Sequence, residues 1–312
     1  MNKVEFEGWA DCIRLSNDTV ETIVTTAVGP RIMRYGFIDG PNAFHVVPKD
    51  RGQVGGAEWR CFGGHRIWCA PEAKPRTYEI ENGPVGTVEA SANRVRVANP
   101  ADPISGLAKE MVIDISAQGP AVRVTHKVFN QNMWPIELAP WALSVVAGGG
   151  FVALPQEPFV SHDDDLLPAR PLVVWKFTDM ADKRWRWGTR YVTLRQDNDM
   201  PAPQKAGAFV SEGWAAHITP RQAFIVLTDP PDGDSSEYPD CGSNFEIYTE
   251  GAFQELETLG PLHYLEPGQS AEHVEYWYLA AIKEIEDSDR SLDAVLMPVV
   301  ERAWATVRAS FS

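Results

Sequence analysis

Three acidic side chains in one short stretch, Glu246, Glu255 and Glu257, are the first residues of this sequence whose spacing suggests chemistry. They lie between Asn244 and Pro261, where two strand-like runs flank Glu250-Gly251, a pair suited to a two-residue hairpin turn. With that turn, Glu246 faces Glu255 and Asn244 faces Glu257. Side chains alternate along a strand, so Asn244, Glu246, Tyr248, Phe253, Glu255 and Glu257 share one face, while Phe245, Ile247 and Leu256 share the other. On a wet, convex face three carboxylates are ordinary surface. On a concave, partly dry face they raise one another's pKa, suit proton transfer and accept hydrogen bonds from hydroxyl groups. A metal ranks below both readings because no histidine is near in sequence, and no metal or cofactor is expected.

A second stretch, Trp59 to Glu72, holds Gly63-Gly64-His65-Arg66-Ile67-Trp68. The glycine pair permits a tight turn or a close ligand approach. His65 offers an acid or base, Arg66 a bidentate donor, Trp68 a stacking plane and Glu72 a carboxylate. Singly, a histidine is more often structural and an arginine ion-paired; together they make a candidate site. Tryptophan is abundant, at 11 of 312 residues, and Trp141 is a further stacking candidate. Indole planes stack on the C–H faces of sugars while carboxylates and Arg bind the hydroxyl rim, so a neutral polyol ligand fits better than a phosphate. Core and edge packing explains several of these tryptophans.

Other patterns are weaker. No Gly-x-Ser-x-Gly, Walker loop or dinucleotide fingerprint is present. Asp232, Asp234 and Ser236 resemble the start of a calcium loop, but the turn glycine and the twelfth-position glutamate are missing, so a plain solvated loop is expected. The formal charge of −15 repels a phosphate backbone, and no nucleic-acid partner is expected. Lys183-Arg184-Trp185-Arg186-Trp187 reads as one strand whose arginines share a solvated face. No membrane span and no leader is read, and Cys12, Cys61, Cys69 and Cys241 lack metal spacing, which together suggest a cytoplasmic protein.

The elements that would position these residues are mostly strands. Ala121 to Val128 alternates, placing Val122, Val124, His126 and Val128 on one face; Gln222 to Thr228 reads as a buried strand, and Val274 to Leu279 as an aromatic-rich one. Turns at Asp39-Gly40-Pro41-Asn42, Glu81-Asn82-Gly83-Pro84, Gln118-Gly119-Pro120 and Glu266-Pro267-Gly268 separate such runs. With 44% hydrophobic residues and no low-complexity linker, the chain reads as an all-β sandwich or barrel. One helix is expected from about Ser288 to Arg308, where Leu292, Val295, Leu296, Val299, Ala303 and Val307 recur at helical spacing, with a kink or restart at Pro298.

At Leu256-Glu257-Thr258 the sequence resembles a known family. Phe253 to Ser270, followed by Glu275-Tyr276-Trp277-Tyr278-Leu279, resembles the C-terminal part of aldose 1-epimerases, the galactose mutarotases. Ala27 to Arg34 and Ile38 to Phe44 are similar to that family's opening hairpin. Gly63-Gly64-His65-Arg66 is similar to its His-Gly-Gly segment in rearranged order, and Phe129 to Leu143 to its central Asn-rich strand. Gly63 to Glu72 with Asn244 to Tyr248 looks closer still to an uncharacterised bacterial branch, the DUF4380 group.

The resemblance implies one galactose-mutarotase-like β-supersandwich domain over 1–312, with a mono- or oligosaccharide site on its concave face. It implies Glu257 as the base that takes the anomeric proton. The family's central-strand histidine is replaced in Ala139-Pro140-Trp141-Ala142, which leaves His65 as the expected acid, provided it comes within about 3 Å of the ring oxygen. Arg66, Glu72, Trp68, Trp141, Glu246 and Asn244 are the expected sugar contacts. Two alternatives stay open: a non-catalytic sugar-binding or sensing protein, and a glycoside hydrolase or lyase whose two carboxylates would be Glu246 and Glu257.

Overall fold

Alternating apolar positions demand a partner for one face of each strand, and the chain meets that demand with two antiparallel sheets laid face to face. The computed structural model describes residues 2–311. The first sheet has eleven strands. At its centre His65–Ala70, Ile136–Val146, Phe253–Leu259, Phe245–Glu250 and Gln204–Ala208 lie side by side in that order. The second has ten, with Trp214–Ile218, Gln222–Leu227, Ser270–Ala281, Ala121–Asn130 and Leu107–Ile115 adjacent. Ile67, Phe245, Ile247 and Leu256 from the first sheet meet Val122, Val124, Phe224 and Trp277 from the second in one buried core.

The one long helix among the described residues, Asp289–Phe311, covers the outer face of the second sheet. Leu292, Leu296, Val299 and Ala303 pack there on Trp214, Ala216, Ile225 and Leu227. That sheet is therefore buried on both faces, which is why Ala223 to Leu227 reads as an unbroken apolar run. Among the described residues no long helix covers the first sheet, and its outer face holds a cavity. No helix among the described residues is long and apolar enough to cross a membrane.

Three local expectations are corrected. The hairpin pairs Glu250 with Phe253, so its turn is Gly251-Ala252 rather than Glu250-Gly251. A Cβ on Gly251 would sit 3.2 Å from Pro201 Cα and Asn198 O, which fixes the glycine inside the turn. The register moves by two residues, placing Glu246 opposite Glu257 and Tyr248 opposite Glu255. A slip of two keeps every side chain on its face, so the shared face survives. Second, only Trp185–Trp187 forms a strand; Arg184 is buried against Asp182, and Arg186 pairs with Asp287 and Asp289. Those arginines anchor loops instead of facing solvent. Third, the helix continues through Pro298 instead of restarting there. Its buried stripe offsets the missing backbone donor, whose cost is about 3 kcal/mol. In the Asp-rich loop, Asp234 caps a short turn, accepting from Ser236 N at 2.8 Å.

Candidate functional site

Because the five central strands are paired in register, side chains from different strands line up in rows on the outer face. One row is Arg66, Leu143, Glu257, Glu246 and Gly207. The neighbouring rows are Trp68 with Trp141 and Leu259, and Glu255 with Tyr248 and Lys205. Gly207 completes the first row because nothing larger fits: a Cβ there would lie 2.4 Å from Ser243 Oγ and 3.3 Å from Glu246 Cγ.

Above these rows lies a cavity of about 940 Å³. Trp59, Trp68, Tyr78, Trp141, Trp175 and Tyr248 supply its aromatic walls, and Arg66, Lys205 and Glu255 are the polar groups of its floor. Glu72 sits at the rim, exposed, and accepts a hydrogen bond from Tyr78 Oη. Arg66 Nη2 donates to Glu255 Oε1 at 3.1 Å, and its guanidinium lies 4.5 Å from the Trp68 ring centre. Burial pushes the Glu255 carboxyl up, and Arg66 offsets only part of that.

Glu257 and Glu246 lie one layer deeper, both fully buried. Glu257 Oε2 accepts from Trp141 Nε1 at 2.9 Å and from Lys205 Nζ at 2.9 Å, and Lys205 Nζ is 2.7 Å from Glu246 Oε2. The same ammonium sits 4.7 Å from the Trp141 ring centre and 4.9 Å from that of Trp175. Burial opposes the charge on Lys205, but the two carboxyl groups outweigh it and hold the ammonium above the ordinary lysine range. Glu246 behaves in the opposite way. Burial, together with Glu257 and Asp240, holds its carboxyl well above the usual range despite Lys205. One cation between two carboxyls thus favours the neutral form of Glu246, whose oxygens, beyond that ion pair, find no hydrogen-bond partner among the described residues. Asp240, which adds to the negative charge there, has a left-handed backbone (φ 50°).

The structure therefore gathers Arg66, Trp68, Glu72 and Trp141 around the cavity and places Glu246 and Glu257 beneath its floor. Two expected site residues lie elsewhere. His65 alternates with Arg66 and so points to the other face, into the core, where its Nε2 is 2.7 Å from His126 Nε2. It cannot reach a sugar ring oxygen above Arg66, and its place as the acid is withdrawn. Asn244 clamps the backbone of Val210, accepting from its N at 2.7 Å and donating to its O at 3.1 Å, so it is structural.

Lys205 and Trp175 escaped the sequence reading. The only local signal is a lone lysine in Gln204-Lys205-Ala206-Gly207-Ala208, followed by three small residues. A long side chain followed by small ones has room to cross to the next row.

Comparison with known proteins agrees on the architecture. No family model matches the chain, and no curated protein does. Among solved structures, a galactose mutarotase-like protein from Lactobacillus casei superposes with a TM-score of 0.56 at 11% identity, covering 86% of this chain and 100% of that one. A galactose mutarotase related enzyme from Lactobacillus acidophilus gives 0.56 at 8% identity, over 88% and 99%. The Slr1438 protein from Synechocystis gives 0.54 at 13%, over 90% and 100%. The chain thus has the galactose-mutarotase-like fold, an all-β sandwich with a C-terminal helix; at these identities the likeness speaks to the fold alone.

Proposed function

We propose that this chain is a sugar-binding protein that takes a mono- or oligosaccharide into the cavity on the outer face of its first sheet. One observation carries the reading: indole and phenol planes surround a few buried, oriented polar groups, the arrangement that grips a polyol by its C–H faces and its hydroxyls together. Trp68 and Trp175 would stack on the ring. Arg66 and Glu255 would take adjacent hydroxyls as donor and acceptor, and Glu72 would hold the rim. The volume of about 940 Å³ has room for more than one sugar unit.

Binding rather than turnover fits the floor. Opening a cyclic hemiacetal needs a base at one end of a C–O bond and an acid at the other. Glu257 is sealed under Trp141 and Lys205, and Lys205 is held too firmly protonated to make a ready acid. A hydrolytic pair fares no better, because Glu246 and Glu257 grip the same ammonium instead of flanking an open bond. Epimerisation at C1 is the second reading. It is favoured by the position of Glu257 in Leu256-Glu257-Thr258, and it requires Lys205 to swing aside as sugar enters.

The reading includes membership of the galactose-mutarotase-like proteins, in their DUF4380 branch, with residues 1–312 acting as one domain. It also includes a cytoplasmic location, which suits four free thiols at Cys12, Cys61, Cys69 and Cys241. The test is NMR of anomer pairs across hexoses, pentoses, uronates and short oligosaccharides. The expected result is saturable line broadening with no exchange between anomers, lost in Arg66→Ala and Trp68→Ala. Accelerated exchange that disappears in Glu257→Gln would establish the epimerase instead. Silence with every sugar overturns both.

A further inference from the structure

The inner faces of the two sheets meet at a polar cluster inside an otherwise apolar core. His65, from the first sheet, approaches His126, from the second, with Nε2 to Nε2 at 2.7 Å. Glu275, also from the second sheet, places Oε2 3.7 Å from His65 Nε2. The donor atoms of these three side chains lie within 4.8 Å of one another, and all three side chains are buried. The cluster is separate from the cavity, since His65 and Arg66 leave their strand on opposite faces.

Each donor is also held from behind. His126 Nδ1 donates to the His273 carbonyl at 3.1 Å, which leaves the lone pair on Nε2, facing the other two groups. His65 Nδ1 is 2.9 Å from Ser144 Oγ. Glu275 Oε1 accepts from Thr258 Oγ1 at 2.5 Å, and its Oε2 accepts from Trp277 Nε1 at 2.8 Å. Ring nitrogens tied to a carbonyl and a hydroxyl, behind a hydrogen-bonded carboxylate, form the outer layer that orients metal ligands. Among the described residues, no lysine or arginine is within ion-pair distance of Glu275.

We propose that His65, His126 and Glu275 form a binding site for one divalent first-row transition ion, Zn²⁺ foremost, which ties the two sheets together. Two imidazole nitrogens and one carboxylate oxygen are a borderline donor set that suits zinc. At Zn–N distances of about 2.0–2.1 Å, two tetrahedral ligand nitrogens stand roughly 3.4 Å apart. The ion therefore widens the 2.7 Å imidazole contact and draws in the carboxylate now at 3.7 Å, small movements of opposite sense. The protons balance simply. Without metal, His65 donates from Nε2 to His126 and accepts from Ser144; with metal, its proton moves to Nδ1 and Ser144 Oγ accepts it. Both imidazoles stay neutral, and only a proton on Glu275 is released.

The experiment uses the full, untagged chain produced in medium supplemented with zinc sulfate and purified without chelator or imidazole. Elemental analysis should find about one zinc per chain, and X-ray absorption should show nitrogen and oxygen ligands at about 2.0–2.1 Å with imidazole scattering. Removing the metal should lower the melting temperature, and His126→Gln and Glu275→Gln should each lose the zinc. Another divalent first-row ion held stoichiometrically at these residues supports the same site. If the variants fail to fold, refolding of the wild-type chain with and without zinc sulfate decides. A substoichiometric metal content with the same melting temperature either way overturns the proposal, and so does full zinc retention by His126→Gln.

Discussion

The two faces of the first sheet solve the same problem in different ways. Both bury titratable groups, and neighbouring residues such as His65 and Arg66 are sent to opposite faces by the alternation of their strand. On the outer face, Lys205, Arg66, Glu246, Glu255 and Glu257 are ionisable groups matched by charge. On the inner face, His65 and Thr258 meet His126, His273 and Glu275 of the second sheet through hydrogen bonds between groups that can all remain neutral. The difference follows from surroundings. The outer face borders a cavity of about 940 Å³, where water softens the cost of charge, whereas the inner face lies in the dry core, where an unmatched charge is prohibitive. Charge pairing thus marks the face that borders the cavity, and neutral networks mark the face that holds the sheets together.

The hardest test of this contrast is Lys205→Met. It leaves two buried carboxyls without their cation and should destabilise the fold by about 3–5 kcal/mol in a denaturant titration. Adding Glu246→Gln and Glu257→Gln should recover much of that loss, and an unchanged single variant would break the charge-matching account.

The inner face should instead respond to acid. Burial lowers His217, also in the second sheet, to about 4, below its ordinary 6.5. A folded-state value below the unfolded one gives stability that is complete above pH 6.5 and lost as pH falls toward 4. Relative to a His217→Asn variant, the wild type should therefore lose up to about 3 kcal/mol across that window. A difference independent of pH would show that the imidazole is not held neutral.

Thr258→Val removes the hydroxyl that joins Glu275 and His273. It should cost about 1–3 kcal/mol by denaturation, with no change in cavity binding. A weakened sugar affinity would show that the two faces are coupled. The smallest effect is expected from Trp175→Leu. It removes one of the two indoles over Lys205, worth about 1 kcal/mol of stability, and should weaken sugar binding by a larger factor than it changes the fold.

How much of this was legible beforehand follows from the range of each signal. Alternation along Phe245–Glu250 and Phe253–Leu259 placed the three glutamates on one face, and that held even though the turn lies one residue later than Glu250-Gly251 suggests. Helical spacing after Ser288 placed the final helix within a few residues of its true ends. Arg66, Trp68, Trp141 and Glu72 were legible as cavity neighbours because each type advertises a surface chemistry. His65 and Asn244 misled because a residue type says what a side chain can do, but not which way its strand turns it.

The sequence by itself determined the class of fold, the strand faces and the aromatic and acidic character of the site, because these depend on local periodicity and composition. Only the tertiary structure decided that Lys205 would cross from the neighbouring row to sit between Glu246 and Glu257, and that His65 would meet His126 from the opposite sheet. Those pairings join residues far apart in the chain. Their energies depend on burial and on sub-ångström register, which exist only once the sheets have closed on each other.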